Sequence, residues 1–449
     1  MSAIAQGIAI FLMISFIAYI VSIVVPYFRR KPNPAGDSTE FEWHFLIPCR
    51  DEAAVIGNTI DRVTGTFPNT HVWVIDDDSE DATSAIVQSY AERNSFVHLV
   101  QRRLPNARTG KGDALNAAYH AMLRTLGPEV DPDRLIVCVV DADGELASNV
   151  LEQAAGPDVF GNPKVGAAQT SVWMKNRDDR EPLGPGKPIR NFYTRGLLRM
   201  QDIEFRTVIA AMQSLREKTS SVGLGGNGQF TRLSVLQKIA EEAGEPWHGA
   251  LLEDYELGVH VLLAGYENRH ILESYVAQEA LTSTRRLLTQ RTRWAQGNIQ
   301  CIKYLPEIVK SKHFSNSGVV ESCYYLILPF LQMIGLLAWI VFAVLFFINL
   351  ASGGGLSFDF TNIGWVLLMS LIFGILPFAM WGPIYKIRCE PKASWWQAIG
   401  WSIGMWLYVY YMYICQVRAF FRIFSGRNGW LKTKRNAELH LGGPVAKDT

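Results

Sequence analysis

No charged residue occurs between Ile4 and Val25, and a run of that length, at about 1.5 Å per helical residue, can cross a hydrocarbon core of roughly 30 Å. Arg29, Arg30 and Lys31 follow it. A cleavable leader carries its charges before a shorter apolar core and ends on small residues, so this order predicts a retained membrane helix. The positive-inside rule then puts the N-terminus outside and the residues after Arg30 in the cytoplasm, as in an integral protein of the cell (inner or plasma) membrane. The rest must combine a water-exposed fold with further apolar segments, because 49% of the chain is hydrophobic and only 19% charged. A mean hydropathy of +0.07 is too apolar for an ordinary soluble enzyme. With 43 basic against 42 acidic residues the net charge is +1, which excludes a bulk polyanion binder and with it a nucleic-acid partner. The cysteines are scattered without C-x-x-C spacing and read as small apolar residues in a reducing compartment rather than zinc ligands.

Trp43 to Pro48, His71 to Ile75, Phe96 to Val100 and Leu135 to Val140 are short apolar runs without polar alternation, as expected of buried parallel strands. Between them, Ala54 to Thr66, Asp81 to Arg93 and Lys111 to Leu126 carry apolar residues at helical spacing. The unit is therefore a Rossmann-like α/β open sheet with helices on both faces. Ligands of such sheets bind beyond the carboxyl ends of the strands. That rule points at Cys49 to Glu52, Asp76 to Asp78 and Asp141 to Asp143.

Two more membrane spans are predicted at Tyr324 to Leu350 and Ile363 to Trp381, joined by a short outer loop at Gly353-Gly354-Gly355. Trp395 to Phe424 is apolar enough to span but rich in Trp and Tyr, and a basic tail with Arg427, Lys432, Lys434 and Arg435 follows it. A crossing there would carry those cations outside, so a steeply tilted or interfacial helix is favoured. The expected organisation is a membrane helix over 1–30, a catalytic domain over 41–297 and interfacial helices over 298–320. Two membrane helices follow over 321–392, then an aromatic-rich helix over 393–424 and a basic cytoplasmic tail over 425–449.

Several short patterns carry chemistry, each with a plainer reading beside it. Asp76-Asp77-Asp78-Ser79 can hydrogen-bond a ribose or base edge, but Ser79 and Asp81 also suit a helix N-cap. Asp141-Ala142-Asp143 places two carboxylates where they can hold a divalent cation and leave sites for phosphate oxygens. Lys111 can meet a diphosphate as a point charge or simply be a solvated lysine at a helix start. Ser221 to Arg232 has too many glycines for a strand or helix interior and reads as a turn whose backbone approaches a ligand, with Gly226, Asn227, Gly228 and Gln229 near an acceptor. Glu253-Asp254 opens a helical pattern, where the helix dipole favours carboxylates and where one of them can take a proton from an acceptor hydroxyl. Gln290-Arg291-Thr292-Arg293-Trp294 joins a cation to an aromatic platform for a sugar ring, or anchors a helix at the membrane surface.

In this order, from roughly Phe45 to Trp294, the patterns resemble the membrane-integrated family two glycosyltransferases, the group containing cellulose, chitin, hyaluronan and poly-N-acetylglucosamine synthases. IPCRDEAAVIGNTI, with Asp51 and Glu52, looks like the family's first strand and loop, and VIDDDSED like its uridine site, with Asp78 where a glycine is usual. DAD resembles the metal-binding D-x-D, LLEDYELG the T-E-D motif with Leu252 in the threonine position, and QRTRW the Q-x-x-R-W motif. Trp430, Thr433 and Arg435, in WLKTKR, look like a gating loop that covers the nucleotide.

The resemblance implies a GT-A fold and a UDP-sugar held by Asp76, Asp77 and Lys111, with Mg²⁺ or Mn²⁺ on Asp141 and Asp143. It also implies a base at Asp254 beside Glu253, an acceptor end at Gln290, Arg293 and Trp294, and inversion from an α-linked donor to a β-linkage. A processive polysaccharide synthase coupled to export is the first expectation. A transferase adding one or a few sugars to a membrane lipid is the alternative, since it suits a small number of membrane helices and needs no channel. A homo-oligomer or a partner chain stays open.

Overall fold

The computed structural model describes residues 3–352 and 368–427. The four apolar runs become β1 (Glu42–Cys49), β2 (His71–Asp77), β3 (Val97–Arg102) and β4 (Leu135–Val139), all parallel, with β1 between β2 and β4. Because successive strand side chains point to opposite faces, Phe45 and Ile47 of β1 pack with Ile56, Ile60 and Val63 of α2 (Ile56–Thr66) and Val87 of α3 (Thr83–Ala91). Leu46 goes the other way, joining Trp73 and Ile75 against Leu115 and Met122 of α4 (Lys111–Thr125). Helices cover both faces, as expected of strands that are apolar on both sides.

The sheet then continues in mixed sense through β5 (Glu145–Leu146), β6 (Val165–Met174), β7 (Gln229–Arg232) and β8 (Glu267–Gln278), in the order β3-β2-β1-β4-β7-β6-β8-β5. β7 runs antiparallel to both β4 and β6. The glycine-rich segment is therefore a turn only as far as Gly228, whose φ is +72°. Beyond it, Gln229 to Arg232 is a central strand, a correction to the reading of the whole segment as a turn. The arrangement is a GT-A-like open mixed sheet, and the loops after β1, β2 and β4 emerge side by side.

Among the described residues, three helices are long and apolar enough to cross a membrane: Ile10–Arg29 within α1 (Ala3–Arg29), Asn316–Leu337, and Ser370–Arg388. The second lies in one continuous helix, Asn316–Ala351, with Pro329 inside it. Ile23 and Tyr27 of α1 share a buried cluster with Met200, Ala210, Trp381, Tyr385 and Met405, tying the apolar helices to the α/β unit. The predicted outer loop and the start of the third span lie outside the described residues.

The aromatic-rich segment is two helices, Trp395–Tyr408 and Tyr411–Phe424, each 14 residues long. At about 1.5 Å per residue each measures roughly 21 Å, short of a hydrocarbon core. Trp396, Ile399, Ile403 and Leu407, and then Tyr410, Ile414, Val417 and Phe421, form an exposed apolar stripe along the pair, the pattern of a helix lying on a surface.

Candidate active site

The buried carboxylates Asp76 and Asp77 end β2. Asp76 accepts from the Ser79 amide at 3.1 Å and from Arg103 Nη1 at 3.0 Å, while Asp77 accepts from the Arg108 amide at 3.1 Å and pairs with Arg102. Asp78 has φ +62°, a left-handed conformation that costs a side-chain-bearing residue about 1–2 kcal/mol. Arg108 clamps it there through Nε to Oδ2 at 2.9 Å and Nη2 to its carbonyl at 2.7 Å. Asp51, at φ +52°, accepts from the Glu80 amide at 2.8 Å. Glu52 is buried, its amide donating to Thr83 Oγ1 at 2.8 Å.

Lys111 begins α4 and reaches across the cleft, donating to Asp141 Oδ1 at 2.7 Å and to the Gly226 carbonyl at 2.6 Å, with Glu253 Oε1 at 3.9 Å. A methyl group on Gly226 would stand 3.0 Å from Lys111 Nζ and 3.2 Å from Asp254 Oδ2, so glycine is what lets this backbone approach the charged centre. Glu253 and Asp254 open α9 (Glu253–Leu263). Burial pushes both carboxyls up, and for Glu253 the neighbouring charge of Asp254 adds to it, whereas Lys111 opposes the shift in both. Burial would lower the Lys111 ammonium, but Asp141, Glu253 and Asp254 outweigh it and raise the pKa. Arg293 is shifted down by burial against the pull of Glu253, Asp141 and Asp254.

Asn227 is a brace. Its Oδ1 accepts from the Asp141 amide at 3.1 Å, its Nδ2 donates to Gln278 Oε1 at 3.0 Å and its carbonyl accepts from Gln169 Nε2 at 2.8 Å. Gln229, sequestered in β7, donates to Thr231 Oγ1 at 3.4 Å. Asn227 lines the cavity together with Gly223 to Gly226, whereas Gln229 does not reach it.

Asp143 is buried and its Oδ2 accepts from the Glu279 amide at 3.3 Å. Two carboxylates spaced by one residue at a strand end, one of them already capped by the Lys111 ammonium, fit a hard cation such as Mg²⁺ or Mn²⁺. Glu42, His44 and His71 also converge, but at the amino ends of β1 and β2, roughly 17 Å along the strands from Cys49. Trp73 Nε1 donates to His44 Nδ1 at 3.0 Å, so His44 Nε2 carries the hydrogen shared with Glu42 at 2.7 Å and has no lone pair for a metal.

A cavity of about 1190 Å³ joins these parts. Glu52, Asp77, Lys111, Asp141, Asp143 and Asp254 line one end, together with Gly226 and Glu253. Gln290, Arg293 and Trp294, from α10 (Thr284–Gln300), lie on its wall, and its far end is formed by Ile20 and Ile23, by Tyr325 and Leu328, and by Phe373 and Phe378. The polar cleft thus opens directly between the three apolar helices. Asp51, Asp76 and Gly228 stand behind the lining. Trp430, Thr433 and Arg435 lie outside the described residues. Sequence reasoning missed Gln169, Gln278, Glu204 and Arg291, which come from β6, β8, a π-helical turn (Glu204–Ile209) and α10. Only the position of Arg291 inside QRTRW pointed at any of them.

Among curated proteins, a beta-monoglucosyldiacylglycerol synthase of Synechocystis sp. is 27% identical over 280 residues, covering 61% of this chain and 51% of the relative. Its counterpart in Trichormus variabilis is 28% identical over 273 residues, covering 60% and 51%. The chain spans about half the length of these relatives. The probable glycosyltransferase YdaM of Bacillus subtilis is 26% identical over 334 residues, covering 73% of this chain and 71% of that one. Among solved structures, a mannosyltransferase of Pyrobaculum calidifontis in complex with GDP-Man and Mn²⁺ aligns over 86% of this chain and 99% of its own, at 18% identity and a TM-score of 0.49. The family model described as glycosyltransferase like family 2 matches residues 43–297, more than half of the chain. The chain belongs to that family of glycosyltransferases.

Proposed function

We propose that this glycosyltransferase moves a hexose from a UDP-sugar to a hydroxyl of a membrane lipid, with inversion to a β-linkage, on the cytoplasmic side of the cell membrane. The observation that carries this reading is the single cavity whose one end is the carboxylate cluster and whose other end lies between three helices apolar enough to span a bilayer. The names of the relatives, which make a glucosyl lipid, support it over polymer synthesis.

In this reading Asp77, held by Arg102 and Arg108 and backed by Asp76, receives the nucleoside, and Lys111 turns its ammonium from Asp141 to the diphosphate. Asp141 and Asp143 would hold a Mg²⁺ or Mn²⁺ ion, which would supply positive charge to the leaving diphosphate. Gln290, Arg293 and Trp294 hold the acceptor end against the cleft. Asp254 accepts the proton of the acceptor hydroxyl as its oxygen bonds to the anomeric carbon and the bond from that carbon to the diphosphate oxygen breaks. Attack from the face opposite the leaving group converts an α-donor into a β-product. Glu253, 3.9 Å from Lys111, keeps that lysine charged.

The test is purified protein in nanodiscs containing dioleoylglycerol, with Mn²⁺ and a panel of radiolabelled UDP-sugars. Label that enters the organic extract as a short glycolipid supports the reading. Label that stays in a long water-soluble polymer would replace it with the processive synthase that the intact Q-x-x-R-W motif also suits.

A further inference from the structure

The apolar part of the cavity contains polar groups that the transfer step leaves unused. Arg291 is 4% exposed and donates through Nη2 to Glu204 at 2.7 Å, yet its Nε and Nη1 have no hydrogen-bond partner among the described residues. Its guanidinium carbon lies over the Trp294 ring, 4.0 Å from its centre. Arg216 of α7 (Ala210–Thr219) is 6% exposed and ion-paired through Nε to Glu321 at 2.8 Å, with Nη2 equally unpartnered. Both arginines line the cavity. Buried donors without acceptors are rare and costly, so they mark where a ligand's oxygen atoms belong.

Charge narrows the ligand further. Beyond the donor end, the ionisable residues on the cavity wall besides its tyrosines and Cys415 are Glu204, Arg216, His270, Arg291 and, at the acceptor end, Arg293, which stands in the field of Glu253, Asp141 and Asp254. Arg291 is matched by Glu204 and Arg216 by Glu321, and burial together with Arg30 keeps His270 uncharged. Surplus N–H donors are therefore present without surplus positive charge. An anionic headgroup would lose its hydration there and gain no free cation, whereas ester carbonyls and hydroxyls would be satisfied. Glu204 also accepts from the Tyr408 and Tyr411 hydroxyls at 2.9 and 2.6 Å. It sits in a π-helical turn, a distortion frequent at functional sites.

We infer that Arg291 and Arg216 bind the acceptor and select a lipid whose polar part is uncharged and rich in acceptor oxygens, such as a 1,2-diacylglycerol, over phosphate-bearing lipids. This rests on the lipid-acceptor reading. The experiment compares nanodiscs of dioleoylphosphatidylcholine doped with either dioleoylglycerol or dioleoylphosphatidylglycerol as the lipid carrying free hydroxyls. The wild-type protein is expected to make at least about tenfold more glycolipid from dioleoylglycerol. Glu204→Gln, which leaves the Arg291 charge unbalanced, should narrow that ratio. Arg291→Met should raise the half-saturating dioleoylglycerol concentration more than it lowers kcat and leave UDP binding unchanged. Equal or greater use of phosphatidylglycerol by the wild-type protein overturns the inference and leaves the lipid-acceptor reading standing. No lipid-borne product from either acceptor overturns both.

Discussion

Replacing Asp254 by Asn separates chemistry from binding at the centre of the site. The amide oxygen of Asn can still accept from the Tyr255 amide, as Asp254 Oδ1 does at 2.7 Å, so the start of the helix keeps its backbone contact. What changes is one negative charge beside Lys111, Arg293, Asp141 and Glu253. Asp254 is the largest charge contribution to the raised Glu253 carboxyl after burial, so the variant moves that carboxyl back towards its ordinary range. Losing a general base costs about 10²–10⁴-fold in rate, or roughly 3–5 kcal/mol of transition-state stabilisation. UDP affinity should hold or tighten slightly, because a carboxylate near the diphosphate has gone while Asp76, Asp77 and Lys111 remain. The assay pairs initial rates of radiolabel transfer with calorimetric titration of UDP. A variant within about tenfold of wild-type turnover would refute the base assignment, as would equal losses of turnover and UDP affinity.

Four further outcomes follow from the same contacts. Because burial raises both Glu253 and Asp254 and the base must be ionised, wild-type kcat should climb with pH above the ordinary carboxylate range of about 4, which a pH–rate profile reads directly. Gly228→Ala should destabilise the fold by more than about 1–2 kcal/mol in thermal unfolding, since φ is +72° and the new methyl meets Thr170 Oγ1. His71 is held down from 6.5 to about 4 by burial and by His44 and His98. The folded state therefore binds fewer protons than the unfolded one between those values: its contribution is intact above 6.5 and lost as pH falls towards 4, and melting curves of His71→Gln should show a shallower acid dependence. Chelation should abolish transfer with the helical circular-dichroism signal intact, and Asp143→Asn should raise the Mn²⁺ concentration for half-activity by at least about tenfold.

The parallel half of the sheet is legible because β1 to β4 are apolar on both faces and are punctuated by local helix patterns. Asp76, Asp141 and Glu253 could be placed at element ends for the same reason. The mixed half is not. β6 starts with VGAAQT, whose small residues carry no strand period, and β8 runs ENRHILES, where Asn268, His270 and Ser274 are buried by partners distant in sequence. β7 hides behind the glycines that precede it. The bracing of Asn227 by Gln169 and Gln278 and the pairing of Glu204 with Arg291 join segments about 50 to 90 residues apart, through contacts that no short-range pattern encodes. The aromatic richness of Trp395 to Phe424 is legible in composition, but its break at Val409 and Tyr410 is not.

In the proposed reaction a lipid acceptor enters between the apolar helices and meets the carboxylate cluster inside one cavity. A diacylglycerol with a photoreactive acyl chain, crosslinked in nanodiscs and mapped by peptide mass spectrometry, tests it most directly. Adducts are expected on cavity residues such as Ile23, Leu328 and Phe378, and should disappear when unlabelled dioleoylglycerol is added in excess. Adducts confined to outward-facing positions such as Phe11 and Val344, unaffected by that competitor, would contradict it.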